Sequence, residues 1–385
     1  MGFLGDSLLH GKGLGSPFGL PTGPTAFVSP AYPLLVSWVF WIFGSYSNAS
    51  ALCLMLFNAI CNTATVYIIY TLSRFIASEG PARMVSLFWA LSLPLIWMPT
   101  IFWETSFSTL LLVGTVSLMI SVQKTRSAQF WLFCGSACGV IGLLNPALLL
   151  SVTGLAGYTL FRTTARPARR RRVATCIAGF TLVFSPWPIR NAFVFRHCVL
   201  TRTTVGFELW MGNHPNATGF LEQSLFPTYD RAELAAYRSE GEIGYTEHKR
   251  QLANGWIQGH LRAFVLLSTR RFIRFWTGSG TYPGSLIFVM HAVLSTSMGC
   301  SGLYLIWRDR KTEFCFSLLI PLLLFPLPYY ITHAEFRYRL VLDPALTVLS
   351  AKAIDWLLVR VRSGLTQVEA ESPAEVRRST PLASK

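Results

Sequence analysis

Apolar residues in this chain run in long uninterrupted blocks, set apart by short polar and mostly basic stretches. A helix that crosses a bilayer needs about 20 consecutive apolar residues. That pattern predicts spans at residues 50–72, 84–101, 103–122, 129–144, 146–162 and 173–189, and again at 284–307, 313–332 and 338–361. The two shortest, on either side of Asn145-Pro146, also fit one broken helix pair. An earlier run, YPLLVSWVFWIFG (32–44), is too short to cross, and Trp38 and Trp41 suit a helix lying at the headgroup level. The expected architecture is an all-α polytopic membrane protein. It has about nine transmembrane helices, an interfacial helix near the N-terminus and an extracytoplasmic, mostly helical insert.

The insert is a polar island between the sixth and seventh spans. It opens on FSPWPIRN (184–191), passes through GFELWMGNHPNATG (206–219) and closes on STRRFIRFW (268–276). Asp230 is placed to cap a helix that Gly241 breaks, and 262–276 alternates apolar stretches with Arg270, Arg271 and Arg274, as a helix on a membrane surface would. The chain therefore divides into a partial external loop with the interfacial helix (1–49), transmembrane helices (50–189), the extracytoplasmic region (190–283), C-terminal transmembrane helices (284–361) and a disordered cytoplasmic tail (362–385).

Composition agrees with a membrane protein: 52% of the 385 residues are hydrophobic and 13% charged, where soluble domains carry about 25% charge. The formal charge of +15 does not indicate nucleic acid, because the arginines sit in short loops beside apolar spans. Arg162, Arg166 and Arg169 to Arg172 put six arginines and no acid between two spans, which makes that loop cytoplasmic. Counting outward from it places Trp103-Glu104, the island and HAEFRYR (333–339) together on the outer face. Seven of the eight cysteines fall in or beside apolar runs, without the His or acidic partners that a metal site needs.

Three outward clusters could carry chemistry. Glu104, in PTIFWETSF, is the one acid of the apolar stretch 84–122, where an ionisable group is costly and often functional. Arg190 and Asn191 cap the span entering the island; a fixed guanidinium there suits a lipid phosphate as well as it suits an interfacial anchor. His333, Glu335, Arg337 and Arg339 offer a cationic pocket beside a carboxylate, although Glu335 and Arg339 could also pair at i,i+4. There is no P-loop, no Ser/His/Asp arrangement and no metal-spaced histidine cluster.

The stretch LLHGKGLGSPFG…PTGPTAFVSPAYPLLVSWVFWIFG resembles the first external loop of GT-C glycosyltransferases. It is most similar to the bacterial membrane enzymes related to protein O-mannosyltransferases and aminoarabinose transferases. The likeness continues through WPIRN, GFELWMGNHPNATG, HLRAF…RRFIRFW and RYRLVLDPAL. It implies a multi-pass protein of the bacterial inner membrane that takes a sugar from a polyprenyl-phosphate carrier and inverts the sugar as it passes it to an extracytoplasmic acceptor. Membrane lipids would be its other partners. The resemblance assigns lipid-phosphate or donor contacts to Arg190, Arg337 and Arg339, with Asn191 and Glu335 beside them. It makes Glu104 a supporting catalytic acid and allows for a divalent cation.

The family's catalytic acid lies ahead of the glycine segment, at the end of a first span. Counting back from Gly11 runs off the front of this chain, and Asp6 sits too close to match. The resemblance thus implies either that Met1 is internal to a longer protein or that the chain as given is inactive. Two other functions stay open: a transporter or flippase of lipid-linked material, and a non-catalytic binding subunit.

Overall fold

The computed structural model describes residues 1–122, 127–278 and 285–371, all of them helix, turn or loop apart from one isolated antiparallel bridge between Gly15 and Pro24. The chain opens with α1 (Gly2–Leu9), a Gly/Pro-rich loop, and α2 (Ala31–Phe43), whose Trp38 and Trp41 are exposed as the interfacial expectation requires. Then come α3 (Asn48–Ser73), α4 (Glu79–Leu91) and α5 (Leu93–Trp97), α6 (Thr105–Ser121), α7 (Ala128–Leu144), α8 (Leu149–Thr163), and α9 (Arg166–Phe184) followed directly by α10 (Pro186–Phe195). Ser47 accepts from the Ser50 amide and starts α3 as an N-cap. Ser92-Leu93-Pro94 breaks α4 from α5 with a 50° bend, and Ser185-Pro186 turns α9 into α10 by 46°.

The island contains α11 (Val205–Gly212), α12 (Arg231–Gly259) and α13 (Leu261–Thr277). Asp230 accepts from the Ala232 and Glu233 amides, and Gly241, at φ 69°, kinks α12. The chain then runs through α14 (Ser285–Arg308), α15 (Thr312–Leu324), α16 (Leu327–Ile331), the short α17 (Phe336–Leu340) and α18 (Asp343–Glu371). Helix therefore continues past 361, where a disordered tail was expected. Once started inside the bundle, α18 propagates at one backbone hydrogen bond per added residue. Residues 372–385 of that tail lie outside the described residues.

Among the described residues three helices are long and apolar enough to cross a membrane: Asn48–Ser73, Leu286–Arg308 and Thr312–Ile331. Counting each bent pair as one span makes five, while Thr105–Ser121 and Ala128–Leu144 are shorter apolar helices. Basic residues gather at one end of the bundle: Arg162 ends α8, Arg166 and Arg169–Arg172 begin α9, and Arg308 ends α14. The N-terminus of α6, the α9–α10 bend and the island lie at the other.

Where two helices meet without a hydrophobic drive between them, close backbone approach supplies the packing. At the α7–α9 contact a Cβ on Gly179 would stand 2.2 Å from the Leu132 carbonyl oxygen, and one on Gly135 1.8 Å from that of Cys176. Gly179→Leu is therefore expected to force the two helices apart and lower the thermal midpoint of the purified protein by several degrees, at about 1–3 kcal/mol for an overpacked contact.

Candidate active site

The outer end of the bundle is shaped by polar side chains that fix loops. From α3, Asn58 donates to the Pro99 and Ile101 carbonyls, and Asn62 to that of Leu95, each at 3.2 Å. These bonds hold the segment that leads to Trp103 and Glu104. Glu104 begins α6: its carbonyl accepts from the Ser108 amide, but its side chain does not cap the helix. The carboxylate is buried at the positive end of the helix dipole. Its Oε1 lies 3.7 Å from Arg202 Nη2, and its Oε2 is buried without a hydrogen-bond partner. A buried carboxylate oxygen left open is costly unless a ligand completes it.

Arg337 approaches from α17. Its Nε donates to Glu335 Oε2 at 2.7 Å, its Nη2 reaches Tyr338 Oη at 3.3 Å, and its plane lies 5.0 Å from the Trp103 ring. Its Nη1 takes no hydrogen bond among the described residues, so one edge of a firmly held guanidinium stays available. Tyr338 stacks on Tyr329 at 4.3 Å and accepts or donates to His333 Nε2 at 3.0 Å. The other ring nitrogen of His333 lies 3.0 Å from Glu208 Oε2. Burial pushes the Glu208 carboxyl up, but the facing His333, Arg202 and Arg337 outweigh it and hold the group below the usual carboxylate range. The side-chain cluster so formed, the candidate cleft, draws on the start of α6, on α11, α16 and α17, and on the loop carrying Arg202.

The expected site residues thus divide. Glu104, Glu335 and Arg337 come together. Arg339, two residues on, turns the other way: it is fully buried, pairs with Asp343, and donates to the Ala292 carbonyl, Ser295 Oγ and Thr296 Oγ1. The alternative Glu335–Arg339 pair does not form, because Glu335 lies ahead of the helix in extended backbone and reaches Arg337 instead. Arg190 gives its donors to the Thr25 and Leu14 carbonyls and to Asn191 Oδ1, and Asn191 donates to the Val199 carbonyl. Arg190 thus holds the N-terminal loop to α10, and Asn191 ties α10 to the chain that enters the island.

Other members went unseen in the sequence. Arg202 and Glu208 looked like ordinary island charges. Ser92, His291 and Asp343, far apart in the chain, form one hydrogen-bonded series: Ser92 Oγ to His291 Nδ1 and His291 Nε2 to Asp343 Oδ2, each 2.8 Å. The aspartate is already paired with Arg339, so this is a brace across α14, α18 and the α4–α5 bend. Glu242 is a second buried knot. It accepts from Thr25 Oγ1, the Ala26 amide, Thr203 Oγ1 and Tyr237 Oη. It sits beside an aromatic cluster in which Phe18 and Phe27 of the N-terminal loop meet Phe207, Tyr237 and Tyr245. Glu242→Ala strands four donors and is expected to loosen the loop, so that limited proteolysis within residues 11–30 speeds up at least tenfold, for about 1–3 kcal/mol lost.

A divalent cation does not fit these residues. Among the described residues no three His, Cys, Asp or Glu side chains are grouped to hold one, and each cleft carboxylate already faces a cationic or histidine side chain.

Residues 31–189 match the profile of a family described as dolichyl-phosphate-mannose-protein mannosyltransferase. No curated protein matches the chain. Among solved structures it is similar to the archaeal oligosaccharyltransferase AglB from Archaeoglobus fulgidus, in complex with an inhibitory peptide and a dolichol-phosphate. The TM-score is 0.54 at 14% identity, over 96% of this chain and 47% of that one. The chain thus spans about half the length of the structure it matches, and its fold is the GT-C membrane fold that the sequence resemblance implies.

Proposed function

We propose that this chain, with its GT-C fold, is a membrane glycosyltransferase that moves a sugar, with inversion, from a polyprenyl-phosphate-linked donor to an acceptor on the outer face of a bacterial inner membrane. The observation that carries the reading is a juxtaposition: a held guanidinium with a free edge (Arg337) beside a buried carboxylate with an open oxygen (Glu104). AglB was solved with a dolichol-phosphate and a peptide, which is the kind of donor carrier and acceptor the cleft would serve.

The chemistry follows from charge. As the acceptor nucleophile attacks the anomeric carbon, the bond to the carrier phosphate breaks, its electron pair leaves on the phosphate oxygen, and the released phosphate takes up the proton that the acceptor loses. Arg337 meets that growing charge, and Arg202 adds a second positive centre behind Glu104. The open oxygen of Glu104 accepts a hydrogen bond from a hydroxyl of the donor or acceptor and fixes its direction. Arg190, Asn191 and Arg339 act at one remove, by holding the loop and the helix that frame the cleft.

A photoreactive polyprenyl phosphate tests the reading directly. Crosslinks are expected on the peptides that carry Trp103 and Tyr338, and excess unlabelled polyprenyl phosphate should suppress them. Crosslinks spread over the lipid-facing helices, with no such suppression, would leave the cleft without a donor.

A further inference from the structure

At the end of the bundle opposite Glu104, about 25 Å along α6 at 1.5 Å per residue, lies a cavity of about 840 Å³. Arg162, Arg310, Lys311 and Glu313 line it, with Phe75 and Phe314 as apolar walls. From Thr312 to Ser317 the lining follows α15 inward for about 7 Å. Glu313 is turned to Arg162, which also donates to the Val122 carbonyl, so those two charges cancel. Lys311 Nζ donates to the Phe75 carbonyl and makes no ion pair among the described residues. The Arg310 guanidinium has no hydrogen bond or ion pair among the described residues. It stands at a left-handed turn, φ 56°, in the α14–α15 connection and lines the cavity. No side chain caps the first turn of α15, so that turn adds uncapped amides and the positive end of its dipole.

An open cavity with two cations outside any ion pair among the described residues, free amides and an aromatic wall fits one class of ligand: a phosphate ester that carries an apolar tail. We infer that this cavity binds the headgroup of an anionic phospholipid in the leaflet opposite the cleft. Basic pockets between helices are the usual receptors for such headgroups. The inference is independent of the sugar-transfer reading, since no cleft residue takes part.

The test uses the whole protein in nanodiscs of phosphatidylcholine doped with phosphatidylglycerol, with retained lipid counted by native mass spectrometry. Wild type is expected to keep phosphatidylglycerol in preference to phosphatidylcholine. The pair Arg310→Gln, Lys311→Gln should weaken that preference about tenfold or more. The pair Arg170→Gln, Arg171→Gln, exposed at the same end but outside the cavity, should leave it intact. Arg310→Lys, Lys311→Arg should keep it, which guards against a folding defect in the glutamine pair. Equal losses in the two glutamine pairs would mean diffuse surface charge and overturn the site. Displacement of the lipid by millimolar inorganic phosphate would overturn the lipid as occupant and assign free phosphate. No preference in wild type would end the inference.

Discussion

Arg337→Gln in the full-length protein is expected to lower kcat/KM for sugar transfer by about two to three orders of magnitude, the usual cost of losing one fixed donor to a developing oxyanion. The guanidinium is pre-positioned by Glu335, Tyr338 and the Trp103 ring, so it need not reorganise as charge builds on the leaving phosphate. Glutamine keeps part of the length but none of the charge. Arg337→Lys should recover only part of the rate, because an ammonium cannot bond Glu335 and still present a planar edge. Glu104→Gln should fall with it while the protein still inserts. Arg190→Gln should instead loosen the loop anchored at Leu14 and Thr25. Steady-state kinetics on the four variants, beside a thermal melt of each, separate these outcomes. Wild-type kinetics for Arg337→Gln would remove the phosphate contact from the cleft.

The second large effect concerns stability. Asp343→Ala leaves Arg339 as a fully buried cation among serine, threonine and carbonyl oxygens, and removes the acceptor for His291. Breaking one side of a buried pair costs about 3–5 kcal/mol, enough to consume much of a marginal native state. The expected result is poor recovery from the membrane and a sharply lowered thermal midpoint. Replacing both partners together, Arg339→Met with Asp343→Leu, should recover much of the loss, since no charge is then stranded. A midpoint for Asp343→Ala equal to wild type would show that the pair is not buried.

What could be read from the chain follows from which signals are local. Span positions and the basic end come from runs of neighbouring residues, as do the Asp230 cap and the Gly241 kink. Glu104 stood out as the one acid of an apolar stretch, where an ion is costly, and Arg337 because two arginines beside Glu335 exceed what one carboxylate needs. Arg202 and Glu208 were not, since in a polar island a charge is ordinary until its partner is known. Glu242 meets Thr25 across 217 positions, and Ser92 meets His291 across 199. No periodicity carries such pairings. Arg190 and Arg339 show the converse: the residue type suggested a phosphate, and only packing reveals how their donors are spent. Asn58 and Asn62 left a faint trace, two amides one turn apart inside an apolar run, which is where a buried loop anchor would be sought.

One measurement bears most directly on the central reading. Proteoliposomes of the full-length protein receive a polyprenyl-phosphate-linked sugar labelled in the sugar, and label is followed on both acceptor and carrier. The account predicts label on the acceptor with release of free polyprenyl phosphate, and neither with Glu104→Gln. Label that crosses the bilayer still joined to its carrier, with no polyprenyl phosphate released, would contradict it and establish a transporter.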